Sequence, residues 1–214
     1  MPQADLIQKL TTRQAHVVIL GLGYVGLPLA VVMAEAGFRV SGVDVDQDKV
    51  DFVNQGQSYI QDIPSDILQP LVEKEQLRTY TDYAVVGEAD AVSICVPTPL
   101  RKTRDPDLSH IISVTEKMAP YMHPGMVIVL ESTTYPGTTR ELMLPKLSRG
   151  GELVVGVDFY LGFSPERVDP GREDWTTVNT PKVVGGITPT CCEVTALYYQ
   201  QALDTVVSVS SAEV

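Results

Sequence analysis

Gly21-Leu22-Gly23-Tyr24-Val25-Gly26 carries its glycines in the spacing G-x-G-x-x-G. Placed between a strand and a helix, those residues can hold a pyrophosphate. Gly21 permits the tight turn, Gly23 lets the anion approach the backbone with no Cβ in the way, and Gly26 lets the helix pack close to the sheet. Tyr24 and Val25 open that helix, so unpaired amides and a positive dipole end face the phosphates. The flanks fit. His16-Val17-Val18-Ile19-Leu20 is a short apolar run, and residues 24–36 favour helix until Gly37 stops them in the manner of a left-handed cap. Without that context the same glycines would mark ordinary turns.

A carboxylate follows at the expected distance. The stretch 38–43 returns to strand and ends at Asp44, roughly twenty residues past the glycines, where a carboxylate accepts hydrogen bonds from both hydroxyls of an adenosine ribose. A 2′-phosphate there would meet a negative charge, so Asp44 selects NAD over NADP. Asp46 and Asp48 read as helix-start charges. Lys49 can reach the adenosine side of the cofactor or stand as a surface lysine.

Such groups need a sheet to hold them. Apolar runs at 89–96, stopped by Pro97 and Pro99, and at 126–130, entered through Pro124-Gly125, read as further central strands. Residues 160–163, 182–184 and 205–209 supply later strands. Helices are predicted over 46–54 with Asp46 as cap, and over 65–75, 108–119, 138–147 and 191–202. The alternation marks the α/β class: a doubly wound, mostly parallel sheet of Rossmann type with right-handed crossovers. Residues 1–14 read as a polar segment without pattern, and 15–210 as one dinucleotide-binding domain.

With 44% hydrophobic and 20% charged residues, the 214-residue chain can bury one substantial core. Its 16 basic and 27 acidic side chains give a net charge of -11, which argues against holding nucleic acid and for small-molecule ligands. No stretch approaches the roughly 18 uninterrupted apolar residues that span a bilayer, and the opening residues lack the order of a signal peptide. No membrane partner is expected, and the cytoplasm is the expected location. Cys95, Cys191 and Cys192 lack metal-ligand spacing and read as reduced thiols, while His16, His110 and His123 lie far apart in sequence, so no metal is expected.

Four segments in order resemble the UDP-glucose/GDP-mannose dehydrogenase family. They are the glycine loop continued through Leu27-Pro28-Leu29-Ala30, the turn Val96-Pro97-Thr98-Pro99, the stretch from Glu131-Ser132-Thr133-Thr134 to Tyr135-Pro136-Gly137-Thr138-Thr139, and Phe163-Ser164-Pro165-Glu166-Arg167-Val168-Asp169-Pro170-Gly171. The resemblance runs the whole chain. It implies two successive NAD-dependent oxidations at C6 of a nucleotide-linked sugar, from primary alcohol to carboxylate, in which a cysteine thiolate traps the aldehyde and water cleaves a thioester. Carried over by position, Thr134 helps place water, Glu166 assists thioester hydrolysis, and Thr98 and Glu131 border the nicotinamide half of the cofactor. Members acting on UDP-glucose place a second carboxylate four residues beyond the position of Glu166. Here Pro170 stands there, with Asp169 one place early. The wording is most similar to the branch acting on UDP-N-acetylglucosamine, with UDP-N-acetylmannosamine second.

The resemblance also implies parts beyond this stretch. After Val209-Ser210-Ser211 the family has a long central helix, of which residues 211–214 would be the start, supplying a lysine, an asparagine and the dimer contact. A second domain brings the nucleophilic cysteine and most contacts to the UDP-sugar. None of the three cysteines here matches that nucleophile, so the chain alone is expected to be inactive on a sugar and to form a homo-oligomer only with the central helix. Two other readings stay open: a stand-alone NAD-binding module without chemistry, and a hydroxyacid-type dehydrogenase that takes its second half from another chain.

Overall fold

Short apolar runs become buried parallel strands because a strand covered on both faces needs no polar alternation. The computed structural model describes residues 2–100, 105–167 and 176–214. The first half runs α1 (Pro2–Thr11), β1 (His16–Leu20), α2 (Gly26–Glu35), β2 (Arg39–Val43), α3 (Gln47–Asn54), α4 (Ser65–Glu73), β3 (Leu77–Tyr80) and β4 (Ala91–Ile94). The second runs α5 (Ser109–Met118), β5 (Val127–Leu130), α6 (Leu144–Leu147), β6 (Tyr160–Phe163), β7 (Lys182–Gly186), α7 (Pro189–Gln200) and β8 (Val206–Ser208). The strands form one sheet in the order β3-β2-β1-β4-β5-β6-β7-β8. Its first six strands are parallel, β7 runs antiparallel to β6, and β8 is parallel to β7.

This is the doubly wound α/β sheet expected. β1 and β4 are neighbours although β2 and β3 come between them in sequence, so the chain reverses its winding direction between their carboxyl ends. That reversal opens a crevice where sheets of this class bind ligands. Every residue of β1, β4 and β5 is buried. In α2, Gly26 through Ala34 are buried as well, as a helix that is apolar all round must be.

Several elements differ from expectation. Residues 1–14 are not an unpatterned polar segment: Leu6 and Leu10, four residues apart on one face of α1, are buried, and α1 packs on α7. Lys9 adds an ion pair to Asp90 at 2.9 Å. β3 is an additional edge strand of only four residues, too short to set a clear period, in which buried Leu77 and Thr79 alternate with exposed Arg78 and Tyr80. The helix expected over 138–147 divides into a π-helix, Thr138–Met143, and the short α6, where Pro145 has no amide for the regular ladder. Residues 211–214 form a turn: the Ala212 amide donates to the Gly186 carbonyl at 3.2 Å, and Arg140 pairs with Glu213. Asp169 and Pro170 lie outside the described residues.

If α1 is part of the folding unit, Leu10→Ala should lower stability by about 2–4 kcal/mol, the usual cost of emptying a buried leucine site. Denaturant unfolding reads this directly, and a midpoint unchanged from the parent chain would mean that α1 is only loosely docked.

Candidate functional site: a dinucleotide crevice

The glycine loop is shaped by what surrounds it. Gly21 has φ 96°, and a Cβ there would sit 2.8 Å from the Cys95 carbonyl oxygen. A Cβ on Gly26 would sit 1.8 Å from the Gly21 carbonyl oxygen and 3.1 Å from Cys95 Cβ. A Cβ on Gly23 would meet nothing within 4 Å. Two glycines are therefore demanded by the close approach of α2 to the ends of β1 and β4, whereas the third keeps open space that a ligand can fill.

That space belongs to a cavity of about 500 Å³ along the carboxyl ends of β1, β2, β4, β5 and β6, a size typical of small-molecule sites. Gly21, Gly23, Tyr24, Val25, Asp44, Lys49, Thr98, Glu131 and Glu166 line it, and Gly26 lies directly beneath Gly21. Thr134 is not among the lining residues; its neighbours Ser132 and Thr133 are, and the Thr134 hydroxyl donates to the Tyr135 carbonyl at 3.4 Å. Helix α5 closes one side with His110, Ser113, Val114 and Lys117.

At one end Asp44 is held in place by backbone. Its Oδ2 accepts from the Leu22 amide at 2.8 Å and its Oδ1 from the Asp46 amide at 3.0 Å, while Lys49 Nζ lies 3.5 Å from Oδ2. Asp46 caps α3 through the Asp48 amide. Tyr59, from the polar loop between α3 and α4, donates its hydroxyl to the Leu22 carbonyl at 2.6 Å, so Leu22 is gripped from both sides. Burial, and then the charges of Asp44 and Asp46, push the Tyr59 phenol well up, so it remains a donor. Sequence reasoning missed Tyr59; its only signal was an aromatic residue inside a polar loop.

At the other end lies a cluster of charges. Glu131 accepts from Lys182 Nζ at 2.5 Å and from the Tyr199 hydroxyl, and Lys182 Nζ is also 3.8 Å from Glu166 Oε2. Burial alone would lower the Lys182 pKa, but Glu131 and Glu166 outweigh it and the net shift is upward, so the group stays an ammonium. The Tyr199 phenol is pushed well up by burial and then by Glu131, and it stays protonated. Its hydroxyl also meets Ser93 Oγ at 3.3 Å. The loops after β4 and β5 are stitched across the mouth: Thr98 donates to the Thr133 carbonyl and Ser132 to the Val96 carbonyl, each at 2.6 Å.

Cys95 lies just past β4 rather than inside it and faces the cavity. Burial first, and then Glu131, raise its thiol well above the ordinary range, which keeps it protonated and unreactive. Lys182 and Tyr199 carried no sequence signal beyond a charged residue opening an apolar strand and a tyrosine pair within a helix.

A family profile described as "UDP-glucose/GDP-mannose dehydrogenase family, NAD binding domain" matches residues 15–203. The chain is 33% identical over 190 residues to UDP-N-acetyl-D-glucosamine 6-dehydrogenase of Salmonella typhi, covering 89% of this chain and 44% of that protein. It is 35% identical over 185 residues to UDP-N-acetyl-D-mannosamine dehydrogenase of Escherichia coli K12, covering 83% and 43%. Among solved structures, NDP-N-acetyl-D-galactosaminuronic acid dehydrogenase from Methanosarcina mazei superposes with a TM-score of 0.84 at 29% identity, covering 97% of this chain and 47% of that one. The chain thus spans less than half the length of the relatives it matches. A glycine loop shaped by the close approach of α2, a carboxylate at the end of β2 held by backbone amides, and a match along nearly the whole sheet agree on one assignment: the chain belongs to the UDP-glucose/GDP-mannose dehydrogenase family and is an NAD-binding domain of that family.

Proposed function

We propose that the chain is the cofactor half of a nucleotide-sugar 6-dehydrogenase that oxidises the C6 alcohol of a UDP-N-acetylhexosamine to the carboxylate, with UDP-N-acetylglucosamine as the first choice of substrate. The observation that carries this reading is the placing of Asp44 and Glu166 in one cavity, on either side of the glycine loop. From β2 to β5 the sheet order takes three steps, which at roughly 4.8 Å a strand is about 14 Å. An extended dinucleotide can therefore lie with its adenosine ribose on Asp44, its pyrophosphate over Gly23 and its nicotinamide toward Glu131.

Bound there, NAD supplies the two-electron oxidant. The protein's own groups do the rest. Asp44 accepts from the ribose hydroxyls, Lys49 lies beside it, and the amides of Tyr24 and Val25 face the phosphates. Thr98 borders the nicotinamide. Glu166, at the cavity wall, takes the proton from a water attacking a thioester carbonyl as the thiolate leaves, and Thr134 helps place that water. In this reading the cysteine that forms the thioester comes from outside this chain: Cys95 is held protonated, Cys191 is buried, and half-buried Cys192 lies away from the cavity with its Sγ toward the Val184 and Val209 carbonyls. By this reading UDP-sugar contacts and any homo-oligomer depend on the same missing half.

Two glycine substitutions should separate fold from ligand. Gly26→Ala should cost about 3 kcal/mol of stability or more, since its Cβ meets backbone that cannot yield. Gly23→Ala should leave the denaturation midpoint within about 0.5 kcal/mol of the parent and lower NAD affinity, because only ligand space is filled.

In calorimetric titrations NAD should bind and NADP bind weakly. Asp44→Asn should weaken NAD binding by more than about 1 kcal/mol, the worth of a charge-assisted hydrogen bond. An unchanged affinity would remove Asp44 from the ribose site.

Given NAD and UDP-N-acetylglucosamine together, the chain alone should form no NADH. Turnover by the isolated chain would show that no second half is needed. A second half that restores turnover with UDP-N-acetylmannosamine in preference would correct the choice of sugar.

A further inference from the structure

Glu131 faces the cavity, yet it is only 2% exposed, and the cation that balances it comes from a residue outside the cavity wall. Lys182 opens β7, is 8% exposed, and reaches back across β6 to Glu131, fifty-one residues earlier in the chain. The same Nζ lies 3.8 Å from Glu166. The other groups facing this cluster are Tyr199 from α7 and Cys95 after β4, both held protonated, with Tyr24 and exposed Arg167 in the cleft alongside. A carboxylate this deeply buried persists as an anion only with a cation and hydrogen bonds supplied to it.

We propose that Lys182 is a positioning residue for the nicotinamide end of the site: by clamping Glu131 it keeps an anionic oxygen beneath the cationic ring of oxidised NAD, without touching the cofactor itself. The inference rests on the reading above that the Glu131 end takes the nicotinamide. Its physical content is a split between two parts of one ligand. ADP-ribose carries the adenosine, the pyrophosphate and the second ribose but lacks the ring, so its binding does not depend on Lys182. NAD binding does. With Lys182 removed, the Glu131 carboxylate loses the ion pair that fixes its oxygen and the ring loses a counter-charge held in place.

The test is calorimetric titration of the full chain with oxidised NAD and with ADP-ribose, in Lys182→Met, Lys182→Arg, Glu131→Gln and the double variant. In Lys182→Met, NAD affinity should fall about tenfold, on the scale of one unit charge acting through a partly solvated site. ADP-ribose affinity should stay at the parent value, and Lys182→Arg should restore NAD binding. Glu131→Gln should lose NAD affinity to a similar extent. Adding Lys182→Met to it should cost nothing more, and that pair, free of an unbalanced buried charge, remains informative if Lys182→Met alone fails to fold. Equal losses of NAD and ADP-ribose, or a further loss of NAD affinity when Lys182→Met is added to Glu131→Gln, would overturn the inference. If Glu131→Gln binds NAD as the parent does, the nicotinamide assignment of that end fails instead.

Discussion

The contact on which the rest depends is the meeting of α2 with the ends of β1 and β4. There the Gly21 carbonyl, the Cys95 backbone and the first turn of α2 crowd into a space with no room for a side chain. Two hydrogen bonds fix the heights of the strands at that point: the Gly21 amide donates to the Val43 carbonyl and the Cys95 amide to the Leu20 carbonyl, each at 2.8 Å. Because α2 starts so close to the sheet, the residues at its start, Tyr24 and Val25, line the crevice. The same crowding sets Leu22 where its amide can grip Asp44 and its carbonyl can be gripped by Tyr59. The glycine loop and the Asp44 carboxylate are thus one mechanical unit, built from backbone, with few rotamers left to freeze when a ligand arrives.

The far end of the cavity is built by the opposite means. It uses charged side chains from distant parts of the chain, and these do structural work as well. Lys182 ties the first residue of β7 to the residue that follows β5, across the junction where the sheet changes from parallel to antiparallel. Antiparallel pairing between β6 and β7 covers only Gly162↔Gly186 and Phe163↔Gly185, so the ladder there is short. An ion pair in a low-dielectric wall, extended by Tyr199 and Ser93, specifies the register that so few ladder bonds leave loose. Whether such a pair adds net stability is a separate matter, since desolvation offsets much of the attraction.

What could be read from the sequence follows the range of the interactions. β1, β2, the glycine loop, α2 and the Asp46 cap are each set by residues within a few positions of one another, and their patterns are visible in the string. The place of Asp44, at the end of β2 and in the cavity wall, was legible because strand, helix and strand have nearly fixed lengths between it and the glycines. α1 was not, since its buried face is only Leu6 and Leu10 and its partner, α7, lies at the other end of the chain. The roles of Lys182 and Tyr199 were equally hidden: their contacts with Glu131 span 51 and 68 residues, and no local period encodes them. Glu131 and Glu166 were recognised only through the family's wording, which gave their positions but not the ammonium between them. The same wording pointed to Thr134, whereas Ser132 and Thr133 are the residues that line the cavity.

The acidity of the chain makes sense of this division of labour. A molecule with a net charge of -11 repels an anionic dinucleotide at long range, so attraction has to be local. Lysines could supply it, but Lys49 is drawn toward Asp44 and Lys117 lies over the Tyr83 ring, 5.4 Å from its centroid. The proposed site leaves the phosphates to the amides at the start of α2, whose partial charges are fixed in direction and cannot be neutralised by a passing counterion or by pH. Specific charges are spent where chemical identity has to be read. In the function proposed above, Asp44 reads whether the ribose carries a phosphate, and at the other end Glu131 reads the charge of the ring, the property that changes when the cofactor is reduced. As proposed, a site assembled in this way binds the dinucleotide by its shape and reads its chemical state at the ends.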